Sequence, residues 1–218
     1  MTTKINDPFI WYKDNAISPS FCKHVIEKFK KSKDKRRGIV GNDGVINDIK
    51  KSTDLFISDK QDWIEELKVL NDVNEKCFSE YNDHIQNINL PNDDGYKKCV
   101  PWIFQQLDGF IVIDSGHNLQ ETKPSDYYSW HSDWMNNQYG ARYITYIHYL
   151  NTVDEGWTQF YNGSQIEPVA GRVLMFPSTW QTFHRGFPPK QTKYISTGWI
   201  IEASQERISI NNGLISRK

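Results

Sequence analysis

Arg142-Tyr143-Ile144-Thr145-Tyr146-Ile147-His148-Tyr149-Leu150 is a run dominated by β-branched and aromatic side chains, with no Gly or Pro inside it. It reads as a β-strand. By strict alternation Tyr143, Thr145, Ile147 and Tyr149 share one face. Similar short runs flank it: Phe110-Ile111-Val112-Ile113, Arg172-Val173-Leu174-Met175-Phe176 and residues 193–201, separated by turns containing Gly, Pro or Asn. Strands that follow one another without intervening helices predict a sandwich or barrel.

Upstream the pattern changes. After the extended stretch Phe9-Ile10-Trp11-Tyr12, Ser18-Pro19 supplies an N-cap and a first-turn proline, and Phe21, Val25, Ile26 and Phe29 follow at helical spacing. Residues 28–37 form a basic run, read as a solvated helix end and loop. A second helix is expected from near Ser58, with Trp63, Leu67, Leu70, Val73, Cys77 and Tyr81 as its core stripe. The resulting division gives residues 1–96 as a helical and extended support of the same domain, 97–203 as a β-core and 204–218 as a polar tail.

Composition narrows the class. The 218 residues suit one substantial domain. Lys+Arg 26 against Asp+Glu 27 leaves a net charge of −1, without the basic excess that a dedicated nucleic-acid binder carries. The 8 Trp, 11 Tyr and 11 Phe argue against a disordered chain. Cys22, Cys77 and Cys99 are odd in number and far apart, so they form neither a disulfide framework nor a metal knuckle. No apolar segment follows Lys4, and none approaches the roughly 20 residues that span a bilayer, so a cytoplasmic chain without a membrane partner is expected.

The chemistry concentrates at Tyr127-Tyr128-Ser129-Trp130-His131-Ser132-Asp133-Trp134. On an extended backbone His131 and Asp133 can face one ion. A single His-x-Asp triplet is weak evidence, since chance supplies about half of one in a chain of this composition. His184 is the candidate third ligand, and two histidines with one carboxylate form the facial triad of non-haem Fe(II), leaving positions for a bidentate 2-oxo acid and O2. Phe187-Pro188-Pro189-Lys190-Gln191 should reverse the chain and bring Lys193 back beside His184. Fe(II), one aspartate and doubly anionic 2-oxoglutarate sum to −1, which one lysine neutralises. Thr145 and Tyr149 could offer hydroxyls to the same carboxylate across Ile147. Lys193, Ile195, Thr197 and Trp199 share a face of the closing strand. Trp130 and Trp134 suit either packing or a substrate platform. His24, His84, His117 and His148 are read as structural, hydrogen-bonded histidines.

The string His131-x-Asp133, Arg142, Thr145, Tyr149-Leu150-Asn151, Gly156-Trp157-Thr158-Gln159-Phe160, Pro168-x-x-Gly171, Phe176-Pro177, His184-Arg185-Gly186 and Lys193-Tyr194 with Trp199 resembles the prolyl 4-hydroxylase-like Fe(II)/2-oxoglutarate dioxygenases. The likeness covers residues 104–201. It implies a mainly β fold, a double-stranded β-helix or jelly roll with an N-terminal helical buttress. It also implies iron on His131, Asp133 and His184, with Lys193 on the distal carboxylate of 2-oxoglutarate. Tyr149 and Thr145 then line the cosubstrate pocket, Trp199 is an aromatic wall and Arg142 faces substrate. The chain departs from the family at Gly156-Trp157, where a glycine pair is usual, and near Glu121, Thr122 and Lys123, where a tyrosine is often found. The implied activity is hydroxylation of an unactivated C–H bond, of a peptidyl proline by resemblance, with 2-oxoglutarate decarboxylated to succinate and CO2 and ascorbate as reductant. A peptide or protein is the expected partner, and nucleic acid is not. Two other readings stand beside it: the same chemistry on a free amino acid or small metabolite, and a non-catalytic metal-containing jelly-roll module.

Overall fold

Ser18 and Pro19 open the first helix as their chemistry predicts. The Ser18 hydroxyl accepts from the Phe21 amide at 3.3 Å, and the proline occupies a position whose missing N–H has no helical partner to lose. Lys28, Lys30 and Lys31 sit in the last turn, where their charge complements the helix dipole. The computed structural model describes residues 2–41, 44–88, 110–137 and 140–204. In chain order the elements begin with β1 (Trp11–Lys13), α1 (Pro19–Lys31), β2 (Arg36–Arg37), β3 (Thr53–Phe56) and α2 (Ile64–Gln86), followed by β4 (Phe110–Asp114) and β5 (Asn118–Thr122). Then come β6 (Tyr128–His131), β7 (Asn136–Asn137), β8 (Gly140–Tyr149), β9 (Thr158–Phe160), β10 (Gln165–Ile166), β11 (Val173–Pro177), β12 (His184–Gly186) and β13 (Lys193–Ser204).

The second helix starts later than its sequence suggests. The Ser58 hydroxyl accepts from the His117 amide at 2.7 Å and so is not available as a cap, and a 3-10 turn at Gln61–Trp63 leads into α2. Trp63, Leu70, Cys77 and Tyr81 of the expected stripe are buried, with Leu67 and Val73 partly so. Two cations of the basic run are paired locally, Lys28 with Glu66 at 2.6 Å and Lys30 with Glu27 at 2.9 Å. The division at 96/97, the segment 205–218 and Cys99 lie outside the described residues.

Among the described residues, the main sheet runs in the order β1-β11-β8-β13-β5-β3-β2, with β4 also on β13 and β7 on β8; a smaller sheet runs β10-β9-β12-β6. The ladders are antiparallel, and the two sheets form a double-stranded β-helix. The chain before residue 97 contributes β1, β2 and β3 to the main sheet as well as the two helices.

Alternation along β11 explains why 173–176 is apolar without a break. Val173 and Met175 join the cluster under α1 and α2, while Leu174 and Phe176 point between the sheets. The main sheet is thus covered on both faces, as a continuous apolar strand requires. Each large side chain removed from water here contributes about 1.5–3 kcal/mol. Tyr81 is fully buried and donates its hydroxyl to the Phe9 carbonyl at 2.8 Å, pinning α2 to the entry strand.

Candidate active site

The site begins with a cross-strand pair. β6 and β12 lie side by side with His131 directly opposite His184, so the two imidazoles share a face, ring centroids 4.3 Å apart. Each Nδ1 lies on a backbone carbonyl, His131 on Ser129 at 2.8 Å and His184 on Thr182 at 2.9 Å. A carbonyl can only accept, so both Nδ1 atoms carry the proton and both Nε2 lone pairs are free to bind a cation. Asp133 follows the end of β6 rather than continuing it, and its two carboxylate oxygens stand 3.6 Å from the two Nε2 atoms. One donor atom from each of the three residues falls within 4.8 Å of the others.

Burial is the largest influence on Asp133 and pushes its acidity down, but His131, His184 and Arg142 outweigh it and hold the carboxyl well below the usual range. Burial and the adjacent His131 press His184 down to about 4, against the pull of Asp133. Asp133 is therefore held as a carboxylate and His184 as an unprotonated imidazole, the forms that bind metal. Phe160 and Phe176 pack their rings on His184, and Tyr128 stacks on His131 with centroids 3.5 Å apart.

The triad lies in the wall of a cavity of about 400 Å³, with Ile147, Lys193, Ile195, Thr197 and Trp199 on the main-sheet side. Lys193 is 5% exposed and donates to the Gly156 carbonyl at 2.7 Å. It pairs with no carboxylate among the described residues, and burial alone lowers its ammonium to about 8. Gly156 makes that contact at φ +71, with Pro189 at 2.9 Å from where a Cβ would stand, so this position excludes a side chain.

Several residues fall where the sequence places them and others do not. Lys193 pairs with Thr122 of β5 rather than running beside His184; the Pro-Pro turn moves the chain from the small sheet to the main one, so the two residues face the same cavity from opposite walls. Thr145 turns its hydroxyl to Asp133 Oδ2 at 2.9 Å, with Ser178 Oγ at the same distance, instead of to a cosubstrate. Tyr149 is fully buried and reaches Thr158 Oγ1 at 2.6 Å; Thr158, not Tyr149, lines the cavity. Strict alternation would set Arg142 away from Thr145, but Ile200 pairs with Ile144 and Ile201 with Arg142, leaving Tyr143 as an extra residue. That bulge reverses the parity: Tyr143 packs toward the helices and Arg142 enters the cavity. The Arg142 guanidinium lies 3.4 Å from the Trp199 ring centroid and donates to the Asp133 carbonyl at 3.3 Å. Trp134 is at the cavity edge and 57% exposed. Trp130, next to His131 on β6, points to the opposite face of the small sheet, stacks on Phe183 and lies outside the cavity wall. Tyr128, Thr158 and Ser178 carry no assigned role in the sequence reading, although Tyr128 lies three residues before His131 in an aromatic strand and Thr158 falls within the Gly156–Phe160 motif.

Comparison with known proteins bears on this geometry. Residues 117–201 match the 2OG-Fe(II) oxygenase superfamily, a span that includes the whole triad and Lys193. These residues form a 2OG-Fe(II) oxygenase domain. By this domain the oxygenase is a 2-oxoglutarate-dependent dioxygenase, and the matched superfamily works with Fe(II) and 2-oxoglutarate. Its fold is that of prolyl hydroxylases. A Trichoplax adhaerens prolyl hydroxylase in complex with a hypoxia inducible factor oxygen degradation domain peptide fragment superposes with a TM-score of 0.68 at 18% identity, covering 94% of this chain and 88% of that one. The viral collagen prolyl hydroxylase of Paramecium Bursaria Chlorella virus-1, in a 2-oxoglutarate complex, gives 0.59 at 19% identity, with 89% and 96% covered. A Pseudomonas putida prolyl-4-hydroxylase gives 0.61 at 16% identity, with 88% and 92% covered. No curated protein sequence matches the chain. The family match sets aside the non-catalytic jelly-roll module. Among the described residues no helix is long and apolar enough to cross a membrane.

The donor set fits the family's metal: two nitrogen donors with fixed tautomers, one carboxylate, and a cavity rather than a fourth side chain on the remaining side. A buried ammonium that forms no ion pair with a carboxylate among the described residues fits a dicarboxylate cosubstrate.

Proposed function

We propose that the oxygenase hydroxylates a peptidyl proline, with Fe(II) held by His131, Asp133 and His184 and 2-oxoglutarate anchored by Lys193. The observation that carries this reading is the convergence of two free Nε2 atoms and one carboxylate in a cavity whose far wall holds an uncompensated lysine. With iron, 2-oxoglutarate and O2 bound, the chemistry supplied is hydroxylation of an unactivated C–H bond coupled to decarboxylation of 2-oxoglutarate to succinate and CO2. The chain's own residues set the geometry. Ser129 and Thr182 carbonyls aim the imidazoles, Thr145 orients Asp133, and Lys193 neutralises the distal carboxylate. Ile147 and Ile195 keep that end of the cavity apolar, which excludes water. Trp199 and Arg142 form the wall on the substrate side.

A peptide is favoured over a free amino acid because the cavity reaches the surface past exposed Arg36, Ile39 and Trp134, an open form that a chain can cross. The test is 2-oxoglutarate-dependent succinate release with Fe(II) and ascorbate over a panel of proline-containing peptides, with mass spectrometry for gain of one oxygen atom. Oxygenated peptide is expected, and H131A or D133A should lose both iron binding and turnover. Full activity in either variant would refute the ligand assignment. Anaerobic titration of the Fe(II) protein should give a 2-oxoglutarate-induced visible band that K193M shifts to higher 2-oxoglutarate concentration.

A further inference from the structure

The charges around the cavity are lopsided in a chain that is almost neutral overall. Its wall carries five fixed cations, Arg36, Lys50, Lys51, Arg142 and Lys193, against the carboxylates of Asp54 and Asp133. Lys50 and Asp54 cancel as a buried pair at 2.8 Å, with Asp54 also held by Ser52 and Asn118. On the proposed function, Fe(II), Asp133, 2-oxoglutarate and Lys193 sum to zero. Three cations are left over, and they come from three elements, β2, the segment entering β3, and β8. None of the three forms an ion pair with a carboxylate among the described residues.

Each of the three is presented rather than consumed. Arg36 is exposed on a two-residue strand. The Lys51 ammonium is 5.5 Å from the Tyr127 ring centroid, a contact that orients it without neutralising it. The Arg142 guanidinium carbon lies 3.4 Å from the Trp199 ring centroid and one N–H goes to the Asp133 carbonyl, which leaves further donors of its fork on the cavity wall. Exposed Ile39 and Trp134 lie on the same rim and add apolar contact for a chain crossing it.

We infer that the substrate is an acidic peptide, with Asp or Glu side chains close to the hydroxylated residue that are read by Arg36, Lys51 and Arg142. The inference rests on the proposed peptide hydroxylation and names the kind of sequence that reaction selects. Fixed charges at an open mouth act mainly on encounter and on ground-state binding, so the preference should appear in Kd and KM and weaken with salt.

The experiment uses three fluorescently labelled peptides of one proline-containing sequence whose flanking residues are Glu, Gln or Lys. Anisotropy is read under argon without 2-oxoglutarate, at low and high salt, and turnover is then measured with Fe(II), 2-oxoglutarate and ascorbate. The Glu peptide should bind about tenfold more tightly than the Gln peptide at low salt, and the gap should shrink at high salt. R36Q/K51Q should erase most of that gap while the Kd of the Gln peptide stays within about twofold. Equal affinity for the Glu, Gln and Lys peptides would overturn the inference, as would tighter binding of a labelled single-stranded oligonucleotide than of the Glu peptide. Failure of the parent reading looks different: no peptide of any charge would then gain oxygen, whatever the anisotropy shows.

Discussion

Thr145 shows how a residue chosen for one task can be held for another. Its hydroxyl is a plausible cosubstrate ligand by sequence, yet it donates to Asp133 Oδ2 and so fixes the one carboxylate of the triad. Valine keeps the shape and removes the donor. T145V should weaken Fe(II) or Mn(II) binding by about ten- to a hundredfold, read by calorimetry, with an unchanged thermal midpoint within a few degrees. The triad itself was legible because the donor types are chemically restrictive and the flanking residues fit the strand pattern. From strand alternation alone Arg142 was not, since side-chain direction depends on whether a strand is regular. One bulged residue at Tyr143 brings Arg142 into the cavity, and simple alternation turns Trp130 out of it.

At the scale of elements, the β8–β13 ladder carries the site on one face and a polar layer on the other. Gly198 is where the two faces meet. A Cβ there would stand 2.2 Å from both the Gly116 carbonyl and the Tyr146 hydroxyl, and that hydroxyl donates to Asp114 at 2.7 Å with the Gly116 carbonyl 3.0 Å away. Neither obstacle is the free end of a flexible chain. G198A should therefore cost about 3 kcal/mol in urea unfolding and should also disturb Trp199, whose amide is tied to Ser115 one position on. Loss of less than about 0.5 kcal/mol would show that the strand relaxes freely. The existence of these strands followed from composition and alternation. The late start of α2 did not, because the Ser58 hydroxyl is occupied by the amide of His117, a residue far away in sequence.

The whole molecule places α2 over the outer face of the main sheet, and the interface between them is not wholly apolar. His117, Tyr146 and His148 form a cluster of rings there, bounded by Asn71 and Asn74 of α2, Ser196 of β13 and Asp114 at the end of β4. Burial lowers His117 to about 4, only partly opposed by Asp114, and burial with His117 nearby holds His148 well below its usual value too. An unfolded histidine titrates near 6.5, so between about 6.5 and 4 the unfolded chain binds more protons than the folded one. Stability is then full above about pH 6.5 and falls as the pH drops through that window, by roughly 3 kcal/mol from His117 alone. H117Q should flatten this part of the urea-unfolding profile relative to the parent protein. Identical slopes between pH 7 and pH 4 would show that His117 does not drive the acid loss.

The sequence by itself determined the strand-rich core, the first helix and its cap, and the chemical types of the candidate donors, because periodicity, propensity and ligand chemistry are local properties. The tertiary structure alone decided that His184 stands opposite His131, that Lys193 faces them from the other sheet, and that Thr145 serves Asp133. It also decided that three cations without a carboxylate partner among the described residues share one mouth. These are matters of register, bulges and sheet-to-sheet packing, which depend on contacts between distant segments and leave no fixed spacing in the chain.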